Sequence, residues 1–283
     1  MSSVAAPIRQ DRLVTALGKA GAIFKRDQRL ATSYDMAFAI QWLQIIIQII
    51  SFYFIATLIG RGQHFGLLGG AIPYFSYVVV NLAFARFQMT ARQSFQTAIR
   101  GDQMLGTLDV VMATPTTLPT IVLSTGLWGF TLTIMQVLVA LGTGMALGLH
   151  LHVNILTTLV FVILTVACMS PLGVMAASTI MTFKQNAPTQ FVAGSAANLL
   201  GGVLYPVSKL PIWLQKISWC LPITHSLEGV RAGLLENVPL TNPLVAGDAL
   251  WLLGATAILM PLSLFIFARS VNLARRDGTL GHY

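Results

Sequence analysis

Long apolar runs separated by short polar breaks make up most of this chain. Residues 36–60 contain no Asp, Glu, Lys or Arg, and they outlast the roughly 20 residues needed to cross a hydrocarbon core about 30 Å thick. A second run, 62–85, is entered through a turn rich in glycine (Gly66, Gly69, Gly70). From 110 to 183 there is again no charged residue. That is too long for one helix and predicts two, 119–149 and 154–183, parted by the polar hairpin His150-Leu151-His152-Val153-Asn154. A fifth run, 189–204, follows a polar turn at 184–188, and a sixth covers 249–268. The pattern predicts an all-α, polytopic membrane protein with six transmembrane helices.

Three stretches depart from this rhythm. Residues 8–30 read as an amphipathic helix, with Leu13, Leu17, Ala20 and Phe24 in one stripe and Arg12, Lys19, Lys25, Arg26 and Arg29 around it. Such a helix suits the headgroup region of a membrane, and the first 35 residues are set apart as a cytoplasmic interfacial segment. Residues 92–117 are polar and charged between apolar neighbours. Leu105, Leu108 and Met112 give an apolar edge at helical spacing, and Thr114-Pro115 stops the helix, because proline lacks an N–H and disfavours α geometry before it. This predicts a cytoplasmic coupling helix within a loop at 86–117. The third stretch, 205–247, holds Pro206, Pro211, Trp213, Trp219 and Pro222, then a mildly polar helix at 224–236. It is too broken to cross a bilayer, and tryptophan favours the headgroup boundary. Short re-entrant or interfacial helices before the last span are expected.

Composition narrows the reading. The 283 residues are 55% hydrophobic and 9% charged, with a mean hydropathy of +0.74. Soluble domains carry about 25% charged residues. The formal charge of +8 could suggest nucleic acid, but its placement follows topology. Six Lys or Arg precede residue 36, three lie between the second and third runs, and Lys184 and three C-terminal arginines complete 13 of 17 on one side. Positive residues mark the cytoplasmic face, so both termini are expected there and 205–247 outside. Cys168 and Cys220 form no spacing motif, so neither a structural disulfide nor a cysteine metal site is expected. No apolar core of a cleavable signal peptide is visible.

Gln41, Gln44, Gln48 and Ser51 share one face of the first span. Amides need partners in hydrocarbon, so this face is expected to look towards other helices or a hydrated substrate path.

Gly106-Thr107-Leu108-Asp109 with Met112-Ala113-Thr114-Pro115 resembles the first cytoplasmic loop signature of ABC-2 type transporter permeases. The stretch from Gly201 to Gln215, with Tyr205-Pro206 and Leu210-Pro211-Ile212-Trp213, and its continuation from Leu221-Pro222 through Glu228 to Arg231, resembles that family's outer segment between the last two spans. Both motifs occur in the right order and on opposite expected faces, and the likeness covers nearly the whole chain, 36–283 being the transmembrane domain. It is similar above all to bacterial exporters of the daunorubicin-resistance kind. The resemblance implies the permease subunit of an ABC exporter in the plasma (inner) membrane, paired with a second copy of itself or a homologous permease. Its substrate would be amphipathic, drug-like or lipid-like.

Separate ATPase subunits would bind ATP and Mg, since no G-x-x-x-x-G-K-[ST] phosphate loop occurs in this chain; no cofactor of its own and no enzymatic activity are expected. Contact with that ATPase is carried onto Arg100, Asp102, Leu105, Leu108 and Asp109, and the outer region onto Pro206, Pro211, Trp213, Glu228 and Arg231. A polysaccharide or glycolipid exporter shares the plan. From another class, a membrane-embedded metalloenzyme would use His225-x-x-Glu228, but no second His or acidic pair completes a zinc pattern. A secondary transporter would place ionisable residues mid-membrane, where the predicted spans carry essentially none.

Overall fold

The computed structural model describes residues 21, 24, 25, 28, 29, 35–59, 72–104, 118–183 and 199–276. Its long helices are α1 (Asp35–Ile59), α2 (Tyr74–Met104), α3 (Leu118–Ala146), α4 (Ile155–Phe183) and α7 (Pro243–Arg276). Between 199 and α7 lie a 3₁₀ turn (Val207–Lys209), α5 (Ile212–Trp219) and α6 (Pro222–Leu234). Four of these helices contain windows long and apolar enough to cross a membrane: Phe38–Ile59, Trp128–Ala146, Ile155–Ser178 and Pro243–Ser270. The fifth expected run, 189–204, lies mostly outside the described residues, as do most of the expected N-terminal helix, the glycine-rich entry to the second run and the expected polar turn at 184–188.

Helix α4 is the hub. It packs on α2, α6 and α7, while α3 covers another side of α2 and α1 lies at the edge against α2 and α3. The core collects Val78, Val79, Val80, Phe161, Leu227, Val245 and Leu252. Where α2 and α4 meet, a Cβ on Gly173 would stand 2.5 Å from the Arg92 carbonyl oxygen and 3.0 Å from that of Ala91. Only glycine lets the two backbones approach so closely. Pro171 sits two residues before this contact, within α4.

The hairpin between α3 and α4 is where the polar break placed it. Gly148 (φ +101°) ends α3 in a Schellman turn, with Gly148 N–H donating to the Met145 carbonyl and Leu149 N–H to that of Gly144. Asn154 caps α4 by accepting from the Thr157 N–H at 3.2 Å. The small-residue pair Gly144 and Gly148 therefore divides its labour. Gly144 lies where a Cβ would come 2.9 Å from Val79 of α2, and Gly148 is a cap.

Helix α2 departs from the expected boundaries. It starts at Tyr74 and runs unbroken through Ala85 to Met104, so 86–94 belongs to the packed bundle: Phe87, Gln88 and Ala91 are buried. Arg86 looked like the start of a solvated loop, but its Nη2 donates to Gln48 Oε1 of α1 at 2.9 Å. Likewise α7 begins six residues earlier than the predicted sixth run and takes Asp248 into its first two turns.

At the N-terminus, Phe24 meets Trp128 of α3 edge-on, ring centroids 5.4 Å apart. Phe24 belongs to the apolar stripe expected there.

Candidate functional site

Helix α6 carries the densest polar chemistry in the described chain. Its sequence, PITHSLEGVRAGL, places Pro222 at the first helical turn, where a missing N–H costs nothing. Ile223 to Leu227 and Gly229 to Leu234 are buried. A helix of mild polarity thus sits inside an apolar bundle, and each polar side chain must find a partner there.

The partners come from four directions. Thr224 Oγ1 donates back to the Ser218 carbonyl of α5 at 2.7 Å. Gln88 Nε2 of α2 donates to Ser226 Oγ at 2.6 Å. Arg231 pairs with Glu228 one turn earlier, and its guanidinium lies 4.4 Å over the Tyr77 ring of α2. His225 reaches α7, with Nδ1 2.7 Å from Asp248 Oδ1, while Nε2 lies 2.8 Å from the Trp219 carbonyl oxygen. The imidazole also stacks on Trp251 at 4.2 Å. On the side of α4, Gly229 and Gly233 admit Phe161 and Thr158.

The turn before α5 is pinned to the same part of α2. Gly202 (φ +73°) presents its carbonyl to Tyr77 Oη at 2.7 Å and Asn81 Nδ2 at 3.1 Å. The far end of α6 is satisfied by backbone: His152 N–H donates to the Leu234 carbonyl, Asn154 N–H to Gly233, and Val238 N–H to Ala232. The hairpin at 150–154 and the C-terminus of α6 therefore form one tied unit.

Three buried atoms on this seam, Asn81 Oδ1, Gln88 Oε1 and Arg231 Nη1, have no hydrogen-bond partner among the described residues. The crevice beside them, between Phe84 and Gln88 of α2, Val162 and Thr165 of α4, and Ser226 and Val230 of α6, is too tight for a ligand. Among the described residues no three His, Cys, Asp or Glu side chains gather as a metal site. Glu228 pairs with Arg231 while His225 bonds Asp248 and the Trp219 carbonyl, so the i, i+3 residues take different partners. The seam holds helices in register.

Burial of His225 alone would lower its pKa. Hydrogen bonds to Asp248 and the Trp219 carbonyl, with the charges of Asp248 and Glu228, outweigh it and raise the pKa above the usual 6.5.

The other anticipated residues are scattered. Arg100 and Asp102 lie in the last turns of α2; Leu105, Leu108 and Asp109 fall outside the described residues. On α1, Gln41 and Gln48 are half-buried and Gln44 and Ser51 exposed. Gln48 is engaged by Arg86, and Ser51 Oγ donates to the Ile47 carbonyl at 2.8 Å. In the outer group, Pro206 and Pro211 precede the 3₁₀ turn and α5; Trp213 is 65% exposed and Arg231 buried. Sequence reasoning missed Asp248, Tyr77, Asn81 and Gln88. Asn81 and Gln88 sit seven apart on α2, two helical turns on one face, which is the signal that marks them.

The family model for the ABC-2 type transporter matches residues 21–235, a span that takes in α1 to α6. A search of curated proteins finds no match.

Proposed function

The chain belongs to the ABC-2 type transporter family, and from that premise we propose that it exports an amphipathic, drug-like or lipid-like molecule, driven by ATP hydrolysis on a separate subunit. As a member it is a multi-pass membrane permease subunit of an ABC transporter. The observation that carries the reading is the family match laid over a bundle with four membrane-length apolar helices.

The finer parts follow from sequence pattern and chemistry. Six spans with both termini in the cytoplasm of a bacterial inner membrane account for the distribution of Lys and Arg. Likeness to the daunorubicin-resistance exporters rests on the two quoted motifs. The polar end of α2 supports ATPase docking there. Thirty-one residues at 1.5 Å each make a rod of about 46 Å, about 15 Å longer than a hydrocarbon core. Arg100 and Asp102 lie on that overhang, with Leu105, Leu108 and Asp109 next along the chain. Gln44 and Ser51, on the exposed face of α1 with Gln41 beside them, suit a hydrated path between two copies. Gln48 serves Arg86 instead, so it contributes least to such a path.

Co-expression with its ATPase tests the reading. Replacing Leu105 and Leu108 together with Asp should abolish co-purification while the permease still folds. Gln44→Leu should change which amphipathic compounds stimulate ATP hydrolysis in proteoliposomes and leave assembly intact, because interhelical polar contacts in membranes average about 0.6 kcal/mol. Normal co-purification of the double Asp variant would refute the docking assignment.

A further inference from the structure

Both ring nitrogens of His225 face acceptors. The Trp219 carbonyl can only accept, and it lies 2.8 Å from Nε2. The Asp248 carboxylate lies 2.7 Å from Nδ1. A neutral imidazole carries one N–H and one lone pair, so it would turn a lone pair towards one of these oxygens at contact distance. A doubly protonated ring satisfies both. We propose that His225 is held as an imidazolium and that its proton clasps α6 to the first turns of α7, so that the seating of α6 in the bundle follows the pH of the solution at that end.

The surroundings fit a group that is held yet reachable. Side-chain exposure is 9% for His225 and 14% for Asp248, enough for protons to exchange and too little for water to replace the contacts. The ring stacks on the Trp251 indole at 4.2 Å, with the Trp219 indole tilted towards it at 5.5 Å, and a cation is favoured over such a π face. The charges facing it are Asp248 from α7 and Glu228 from its own helix, the latter already paired with Arg231. From α5 it meets the Trp219 carbonyl. Nothing in this chemistry depends on the direction of transport or on the substrate.

The raised pKa fixes the sign of the effect. A histidine whose pKa is higher folded than unfolded contributes its full stability below the unfolded value near 6.5, and loses it as pH rises through the folded value. The clasp is closed below about pH 6.5 and opens as the pH rises through the raised folded value. Opening releases the α6–α7 contact and leaves the backbone ties of α6 to the 150–154 hairpin intact.

The test uses the full chain in lipid nanodiscs with ring-¹⁵N histidine, titrated from about pH 5.5 to about pH 9. His225 is assigned by the signal lost in His225→Gln, or, if that variant does not fold, by the signal that moves in Asp248→Asn. Both nitrogens should remain protonated in most molecules at about pH 6.5, where a free imidazole is half neutral, and Asp248→Asn should shift the titration downwards. Thermal unfolding provides a second readout: the deficit of Asp248→Asn relative to the parent should be largest below about pH 6.5 and shrink as the pH rises through the folded value. A neutral His225 ring just above pH 6.5, or a deficit equal at every pH, overturns the proposal.

Discussion

Helices α1 and α6 invert the usual relation between polarity and burial. Helix α1 is apolar almost throughout, yet Met36, Ile40, Leu43, Ile47, Phe54 and Leu58 are exposed on the single chain. Helix α6 carries Thr, His, Ser, Glu and Arg within 13 residues and is buried along nearly its whole length. In water this would be a misfolded protein. In a bilayer lipid is as apolar as leucine, so hydrophobicity does not draw α1 inward, and packing and polar pairing decide what is central. The buried helix is the one with unsatisfied chemistry to settle.

The contrast is broken most severely at the glycines of α6. A Cβ on Gly229 would fall 2.0 Å from the Phe161 ring, and one on Gly233 3.0 Å from the Thr158 backbone nitrogen. Gly229→Leu should therefore eliminate folded, monodisperse protein in detergent, read by size-exclusion chromatography, since overpacking beyond about 3 kcal/mol exceeds what most cores absorb. The same added bulk on α1, as Ala39→Leu, should leave the elution profile unchanged, because Ala39 is exposed.

Next in size is the buried ion pair. Arg231→Met strands Glu228 against an apolar seam and should destabilise by about 3–5 kcal/mol, the cost of an uncompensated buried charge. Adding Glu228→Gln should restore much of that loss, because removing both charges removes the desolvation penalty too. Thermal unfolding of the two single variants and the double variant gives the coupling directly. Additive losses would show that the two residues act apart.

The smallest effects separate the two faces of α1 itself. Ile45 and Ile49 are each 1% exposed against the bundle, and truncation of either to Ala should cost about 2–5 kcal/mol. Leu43→Ala and Ile47→Ala, on the exposed face, should change monomer stability by about 0.5 kcal/mol or less. A larger loss at Leu43 or Ile47 that depends on protein concentration would place a second copy of the chain on that face.

Much of this architecture was legible in the sequence. The 150–154 hairpin interrupts an uncharged stretch with His, His and Asn, and Asn154 is a good helix cap. The Pro and Trp spacing foretold a broken segment of short helices, and 222–234 was anticipated within two residues at each end. What was hidden depends on partners distant in sequence. Arg86 looked like the start of a loop because nothing near it in the chain offers an acceptor to a half-buried guanidinium; its partner, Gln48, is 38 residues away. Asp248 fell just before the predicted sixth run and seemed to belong to a loop, although the helix contains it and His225 needs it. The composition of α6 predicted a helix at an interface, since local polarity does not reveal that α2, α5 and α7 supply partners for Ser226, Thr224 and His225.

The close approach at Gly173 has a mechanical meaning. Helix α2 is a stiff rod with no proline inside it, gripped where the carbonyls of Ala91 and Arg92 bear on α4. At 1.5 Å per residue, about 27 Å of rod lies between this bearing and Tyr74, and about 18 Å between it and Met104. Such a rod turning about that bearing is an unequal lever: a sideways push of about 2 Å at the Met104 end emerges as about 3 Å at the Tyr74 end. Tyr77 and Asn81 stand on that arm about 22 Å and about 16 Å from the bearing, and they hold the Gly202 carbonyl and the Arg231 guanidinium, so a rod turning there would shift the seat of α6 by about as much as its far end is pushed.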